Sequence, residues 1–354
     1  MSEIIDLDKI IDALEAEEKA KFLRLFRVCA TEGQIRPPET MYDWIKAHFG
    51  SVEETLKQKV IRVTNLVTFE ESLFNKLRAD RPMAPKEYSE VVVGQDPFSD
   101  PEKYTPRDVF GRIKGKHCIT AGNVAKYDGL HGVVIFNKSN PLKFTADQVA
   151  DYLDTGLKWG LEAHKVDPEA KYYFFMWNCL WKAGASLVHG HAQVALTRHM
   201  HYAKIERRRR AAIAYKLQYG SDYFDDLYEA HKAVGCGIER AGVKILSHLT
   251  PIKEKEVVLM SPQLNDALKE AVYVALSCLR DSFAVSSFNM VIQMPPIADV
   301  EEDWSDFPVI VRIVDRGNPE SKVSDVGAME LYAASVIASD PFEVAEALKN
   351  AFSQ

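Results

Sequence analysis

His189 and His191, with Gln193 two residues further on, are the side chains of this sequence whose types and spacing suit them to a shared chemical task. If Leu187 to Leu196 is a strand, alternation turns His189, His191 and Gln193 to one face and Val188, Gly190, Ala192 and Val194 to the other. Two imidazoles and a carboxamide then point into the same space. Just upstream, Gly184 and Ser186 occupy a small-residue turn whose amides and hydroxyl suit an anion, and Asn178 can close it from the preceding strand. The combination is a phosphate site with a histidine nucleophile beside it. An imidazole of near-neutral pKa attacks phosphorus without full deprotonation, and the phosphoramidate that results is a good leaving group for a second acceptor. The competing reading is an ordinary half-buried strand that carries two histidines.

The order Asn178, Gly184, Ser186, His189-x-His191-x-Gln193 resembles the transferase branch of the histidine-triad superfamily, that of galactose-1-phosphate uridylyltransferase and the dinucleoside tetraphosphate phosphorylases. Hydrolases of that superfamily carry a third histidine where this chain has Gln193. The resemblance implies that His191 takes up a nucleotidyl group and that His189 supports it. It also implies that Gln193 holds the phosphate oxygens of the covalent intermediate, with Asn178, Gly184 and Ser186 as further contacts.

Three other stretches extend the resemblance. Arg78-Ala-Asp-Arg81-Pro82 resembles the Arg-x-x-Arg-Pro stretch of the uridylyltransferases, which implies arginines reaching nucleotide phosphates, in part across a homodimer interface. A planar, permanently charged fork that grips two oxygens suits that job; two solvated arginines beside a turn-forming proline is the alternative. The segment from Asn123 to His131 resembles the early half of a histidine-triad domain, implying that Asn123 contacts the nucleotide and His131 braces the site. A lone histidine at a strand end also serves simply to satisfy a local hydrogen bond. Asp325-Val-Gly-Ala-Met-Glu330 resembles a C-terminal loop that presents a glutamate to sugar hydroxyls, although Asp325 and Met329 stand where that loop has aromatic residues. Glu330 reads equally as a first-turn helix residue stabilised by the helix dipole.

Transferases of this kind often carry a structural metal held by two N-terminal cysteines, another side chain and the first histidine of the motif. Those cysteines are missing here, and His117 and Cys118, being adjacent, point oppositely on an extended chain. The expectation is therefore no cofactor and no structural metal, with a free ring nitrogen of His189 as the one group left to recruit zinc. The five cysteines are odd in number, scattered and without a CxxC pair, which argues against a disulfide framework or a thiolate zinc site.

The elements that position these residues belong to a globular chain of 354 residues, 47% hydrophobic and 27% charged, long enough to bury a substantial core. A net charge of -7 argues against a general nucleic-acid binder and makes a small anionic substrate dependent on local positive groups. No apolar run approaches the roughly 18 residues that cross a bilayer, and the acidic start has no signal-peptide pattern, so the expected location is the cytoplasm.

Helical spacing from Leu7 to Ala30 and from Thr40 to Phe49 predicts a small N-terminal helical extension over residues 1–58. It fits three roles: packing on the core, covering the site, or mediating contacts in a homodimer. Residues 59–220 read as a first histidine-triad-like half. After strands from Lys59, the Pro, Asp and Gly content between Val91 and Thr120 reads as a long surface connection. A helix from Thr145 to His164 and a strand from Lys171 to Asn178 then lead into the motif. Beyond it, Glu206 to Arg210 lies on a helix and reads as a solvated face, because consecutive residues spread around a helix. Residues 221–354 repeat the order strand, helix, strand, loop, strand, with VIVRIVDR in place of the histidine pair, and so read as a catalytically silent second half.

The fold expected is α+β: two halves with antiparallel sheets flanked by helices, plus the extension. The function expected is ping-pong nucleotidyl transfer through His191 from a nucleoside-diphosphate sugar or dinucleoside polyphosphate to phosphate or a sugar phosphate. A hydrolase with water as acceptor and a non-catalytic nucleotide-binding regulator are the alternatives.

Overall fold

Phe26–Gln34 and Lys57–Asn65 pair antiparallel along their whole length as β1 and β2, from Phe26 opposite Asn65 to Gln34 opposite Lys57. The computed structural model describes residues 2–78, 96–321 and 323–353. Ahead of β1 run α1 (Leu7–Asp12) and α2 (Ala16–Leu25), and between the two strands lie α3 (Tyr42–Phe49) and α4 (Val52–Leu56). The helix expected over Leu7 to Ala30 thus ends at Leu25, and the chain turns into a strand. Phe22, Leu25 and Phe26 fit a helical stripe locally; pairing with β2, which local periodicity does not register, decides the outcome. That pairing also crosses residue 58, so a ladder joins the N-terminal extension to the first half. β3 (Glu71–Phe74) lies on the other side of β2.

Among the described residues the main sheet has nine strands. A loop carrying the short α5 (Pro101–Tyr104) leads into β4 (Cys118–Gly122) and β5 (Leu130–Phe136), then α6 (Ala146–Val166), β6 (Ala170–Asn178) and β7 (His191–Arg198). Thr145 and Gln148 form a reciprocal capping box at the start of α6, which satisfies two otherwise orphaned amides. After α7 (Ala203–Tyr219) and α8 (Tyr223–Ala233) come β8 (Gly237–Arg240), β9 (Val243–Ser247), β10 (Glu254–Ser261), α9 (Asp266–Phe283), β11 (Phe288–Gln293) and β12 (Val309–Asp315). The strand order is β4-β5-β7-β6-β11-β12-β10-β9-β8. The chain closes with α10 (Ala328–Tyr332), β13 (Ser335–Ile337), which pairs parallel with β3, and α11 (Pro341–Ser353).

The unit β4-β5-α6-β6-β7 recurs as β9-β10-α9-β11-β12 with the same strand order, and the two are joined where β6 meets β11. Met176 opposite Val291 marks the centre of that seam. Gln193 opposes Met176, and Arg312 opposes Val291; the internal repeat therefore sets Arg312 at the position of Gln193 and Ile310 at that of His191.

Trp159 and Val149 of α6 and Leu276 and Val272 of α9 bury one face of the sheet together with Phe175, Trp177, Ala192, Val194, Leu259 and Val311. The opposite face of the second half, with Leu246, Val258, Met260 and Ile310, lies under Phe22 and Leu25 of α2 and Tyr215, Tyr223 and Leu227 of α7 and α8. In the first half that opposite face carries His191 and Gln193.

The arginine run is the solvated surface expected of it only at Arg207 and Arg210, while Arg208 and Arg209 turn inward. Arg208 and Arg312 both hold Glu70 Oε1, at 2.8 and 2.6 Å, and Arg312 Nε donates to Glu256 at 2.5 Å. Burial alone would raise the Glu70 pKa, but Arg312 and Arg208 hold it well below the usual carboxylate range. Arg209 pairs with Glu206 at 2.6 Å and lies over the Trp304 ring. Only the sheet behind α7 reveals which of the four arginines face inward. Among the described residues no helix is long and apolar enough to cross a membrane.

Candidate active site

At the start of β7, His191 Nδ1 lies 2.7 Å from the carbonyl oxygen of His189. A carbonyl only accepts, so Nδ1 carries the proton and Nε2 keeps its lone pair. Burial lowers the His191 pKa, which favours the neutral, nucleophilic ring. Phe98 stands edge-on to both imidazoles, with centroids 5.9 Å from His189 and 5.2 Å from His191. Between the two histidines a Cβ on residue 190 would sit 2.7 Å from Phe136 Cδ2 and 3.0 Å from the Lys138 carbonyl oxygen. Glycine is what lets this segment lie against the end of β5.

His189 precedes the strand, which begins at His191 and not at Leu187. Its Nδ1 is 2.7 Å from Asp96 Oδ2, and its Nε2 is 2.8 Å from the Phe136 carbonyl oxygen. Both ring nitrogens are therefore engaged by oxygen partners. The free ring nitrogen expected of His189 is thus taken. Among the described residues no three His, Cys, Asp or Glu side chains gather as metal ligands, and the residues present do not fit the structural metal that the resemblance brings with it.

Gln193, next along the same face of β7, meets His131 and Asn123. His131 Nε2 lies 2.9 Å from Gln193 Oε1, and Asn123 Nδ2 lies 3.4 Å from the same oxygen. His131 is fully buried, and burial lowers its pKa. Asn123, expected to touch nucleotide, is turned towards Gln193.

Asn178 ends β6. Since Met176 opposes Gln193, the antiparallel register carries Asn178 to the level of His191. Its Oδ1 accepts from Asn289 Nδ2 at 2.7 Å, and Asn289 Oδ1 accepts in turn from Arg316, which is paired with Asp325 at 2.7 Å. The second half thus reaches the first at Asn178. Gly184 adopts φ 95°, a left-handed bend that glycine tolerates, and closes the 3-10 turn Trp181–Ala183. Its amide donates to the Trp181 oxygen, and those of Ala183 and Ala185 donate to the Leu180 oxygen. These three amides are spent within the turn, so the anion contact expected from the Gly184 N–H is not free; Ser186, next along, is exposed. Trp181 Nε1 donates to the Pro319 oxygen at 2.8 Å, and Lys182 Nζ to the carbonyl oxygens of Ser321 and Val323.

Of the remaining expected residues, Arg78 ends the 3-10 turn Lys76–Arg78, and Arg81 lies outside the described residues. Glu330 Oε2 accepts from the Gly327 amide at 2.8 Å and so caps its own helix; burial pushes its pKa up, but the Gly327 amide and its other backbone donors bring it below the usual value. Two residues near the histidines were not among those expected, Asp96 and Phe98. Asp96 is 93 positions from His189, and nothing in the local pattern of GQDPFSDP marks it as a partner. A hollow of about 370 Å³ lies against Asp96, His189, Leu180 and Trp181. A larger cavity, about 640 Å³, is bounded by Lys182, Arg316, Asp325, Lys255 and Asn75; neither histidine lines it, and the chain Asn178, Asn289, Arg316 leads to it.

The doubled strand–helix unit that carries His191 and Gln193 on β7 shares its fold with solved structures of uridylyltransferase-like proteins. Among solved structures the chain is similar to an ADP-glucose phosphorylase from Arabidopsis thaliana with bound ADP-glucose, at 16% identity over 82% of this chain and 98% of that one, TM-score 0.62. It is similar also to a GalT-like protein from Arabidopsis thaliana, at 16% identity over 81% and 97%, TM-score 0.59. A uridylyltransferase matches at 16% identity over 82% and 98%, TM-score 0.58. No protein-family model matches the chain, and no curated protein matches it by sequence.

Proposed function

We propose that this protein is a nucleotidyltransferase working through a covalent nucleotidyl-His191. The observation that carries the reading is the bond from His191 Nδ1 to the His189 oxygen, because it leaves Nε2 as the attacking atom. In the first step Nε2 forms a bond to the α-phosphorus of a nucleoside-diphosphate sugar or dinucleoside polyphosphate, and the bond from that phosphorus to the departing phosphate oxygen breaks. In the second step an oxygen of inorganic phosphate or of a sugar phosphate attacks the same phosphorus, and the P–N bond breaks. Gln193 and Ser186 meet the negative oxygens as neutral donors, with Arg78 and Arg81 as candidate further contacts for the donor's phosphates. Glu330 and the 640 Å³ cavity are candidates for the rest of the donor. The fold shared with an ADP-glucose phosphorylase supports a nucleotide sugar as donor. A carboxamide at position 193 cannot protonate a leaving group, which favours transfer over hydrolysis.

Intact-mass spectrometry after incubation with UDP-glucose, ADP-glucose and a dinucleoside tetraphosphate, each in turn, tests this. A nucleotidyl adduct mapped to His191 and missing from His191→Ala is the expected result. An adduct that discharges to water as fast as to phosphate identifies a hydrolase instead. Nucleotide binding without any adduct identifies a regulator.

A further inference from the structure

His131 and Asn123 lie beside the reacting centre without an evident share in it, and the backbone amides around them settle which way their polar atoms face. The Tyr127 N–H donates to His131 Nδ1 at 2.9 Å. A backbone amide can only donate, so Nδ1 is the acceptor nitrogen and the ring proton is on Nε2. That proton then points at the atom of the Gln193 carboxamide 2.9 Å away, which must be its oxygen. The second line of evidence is independent of the first. The Ala125 N–H donates to Asn123 Oδ1 at 2.9 Å, so the Asn123 NH2 is the end facing the same Gln193 oxygen at 3.4 Å. The Tyr127 ring stacks on His131 with centroids 4.5 Å apart and planes 20° apart, covering the imidazole and holding the Tyr127 amide against it.

We infer that His131, assisted by Asn123, is a positioning residue that fixes the flip of the Gln193 side chain, so that its oxygen is tied back and its NH2 is presented to the substrate phosphate beside His191. The inference rests on the reading of His191 as the phosphorus-attacking nucleophile. Oxygen and nitrogen of a free carboxamide exchange by a half-turn about the last torsion, and a flipped Gln193 sets a carbonyl against phosphate oxygens. Two fixed amides, Tyr127 N–H and Ala125 N–H, exclude that orientation through one intervening side chain each. A histidine needs to be neutral for this role, since protonation at Nδ1 would oppose the Tyr127 N–H.

The test is a double-mutant cycle in the full chain with ADP-glucose and UDP-glucose as donors. The rate of adduct formation is measured for wild type, His131→Leu, Gln193→Ala and the double variant, with His131→Gln as the conservative replacement that keeps a donor at the Nε2 position. If His131 acts through Gln193, His131→Leu slows the wild type on the order of tenfold, as expected for misdirecting one hydrogen bond to an anionic oxygen. It then adds nothing in the Gln193→Ala background, and His131→Gln recovers most of the rate. An equal loss in both backgrounds overturns the inference, because a merely structural residue is additive. The tautomer is read separately from 15N shifts of the histidine rings without nucleotide: a protonated Nε2 and bare Nδ1 on His131 are expected, and the reverse overturns the assignment. If neither donor labels the wild type, the covalent reading fails, and the ring tautomer still decides the orientation of Gln193.

Discussion

Asp96 Oδ2 lies 2.7 Å from His189 Nδ1, and the backbone carbonyl of that same histidine holds the Nδ1 proton of His191. A carboxylate from a distant loop therefore holds the ring two residues before His191. A charge-assisted hydrogen bond contributes about 1.5–3 kcal/mol, so Asp96→Asn is predicted to slow adduct formation by ~10- to 100-fold. Nucleotide affinity, measured by calorimetry, should change far less if Asp96 acts only through His189. Wild-type rates in this variant would detach Asp96 from the site.

If His191 is the nucleophile, its own titration sets the pH profile of adduct formation. The attacking form is neutral, and burial lowers the pKa below the ordinary imidazole value of 6.5. Activity is therefore predicted to stay on its plateau as pH falls through 6.5 and to decline only in more acidic buffer, where Nε2 takes up a proton. Single-turnover rates from about pH 8 down to pH 4.5 check this, the ordinary imidazole range being the reference. A midpoint at or above 6.5 counts against a buried neutral nucleophile.

Gly190→Ala places a methyl 2.7 Å from Phe136 Cδ2 and 3.3 Å from Pro141 Cα. Phe136 cannot retreat easily, since its ring is stacked on Tyr152 with centroids 3.7 Å apart. Overpacking of this kind costs about 1–3 kcal/mol, and the shift falls on the peptide that sets the spacing of His189 and His191. The predicted result is a lower urea midpoint together with slower adduct formation. A variant as stable and as fast as wild type would show that the segment can yield.

Arg312→Ala removes the guanidinium shared by Glu70 and Glu256. Breaking a buried ion pair from one side costs about 3–5 kcal/mol, and that loss should appear in equilibrium unfolding. The His191 chemistry should survive at low temperature if the second half, where Arg312 is the counterpart of Gln193, takes no part in it. Loss of adduct in protein that remains folded would refute that separation.

The placing of His191 and Gln193 on one face, the capped helix before them and the duplicated element order were legible in the sequence because each has a local signature: alternation in β7, Thr145 with Gln148 at the start of α6, and recurrence of strand, helix, strand. What was not legible depends on partners far away in the chain. Phe26 to Ala30 passes for helix until β2 is beside it. Arg208 passes for a solvated residue until Glu70 and Gln293 meet it. Asp96 sits in a segment that reads as a surface connection, and its alignment with His189 exists only after the chain has folded back. The amides of the Gly184 turn had the right composition for an anion cradle, but the left-handed bend turned three of them inward.

The stitching of the Trp181–Ala183 turn to the C-terminal loop has a consequence for how this protein could diversify. The bonds from Trp181 and Lys182 end on main-chain carbonyls, of Pro319, Ser321 and Val323. Main-chain oxygens stay in place when side chains change, so the loop can vary its sequence while the turn, which shares a hollow with His189, keeps its anchorage. Selection for a new donor or acceptor could then work on Pro319, Ser321, Val323 and Ser324 while Asp325 keeps its pair with Arg316, and loop libraries built on this scaffold should yield altered substrate preference more often than lost chemistry.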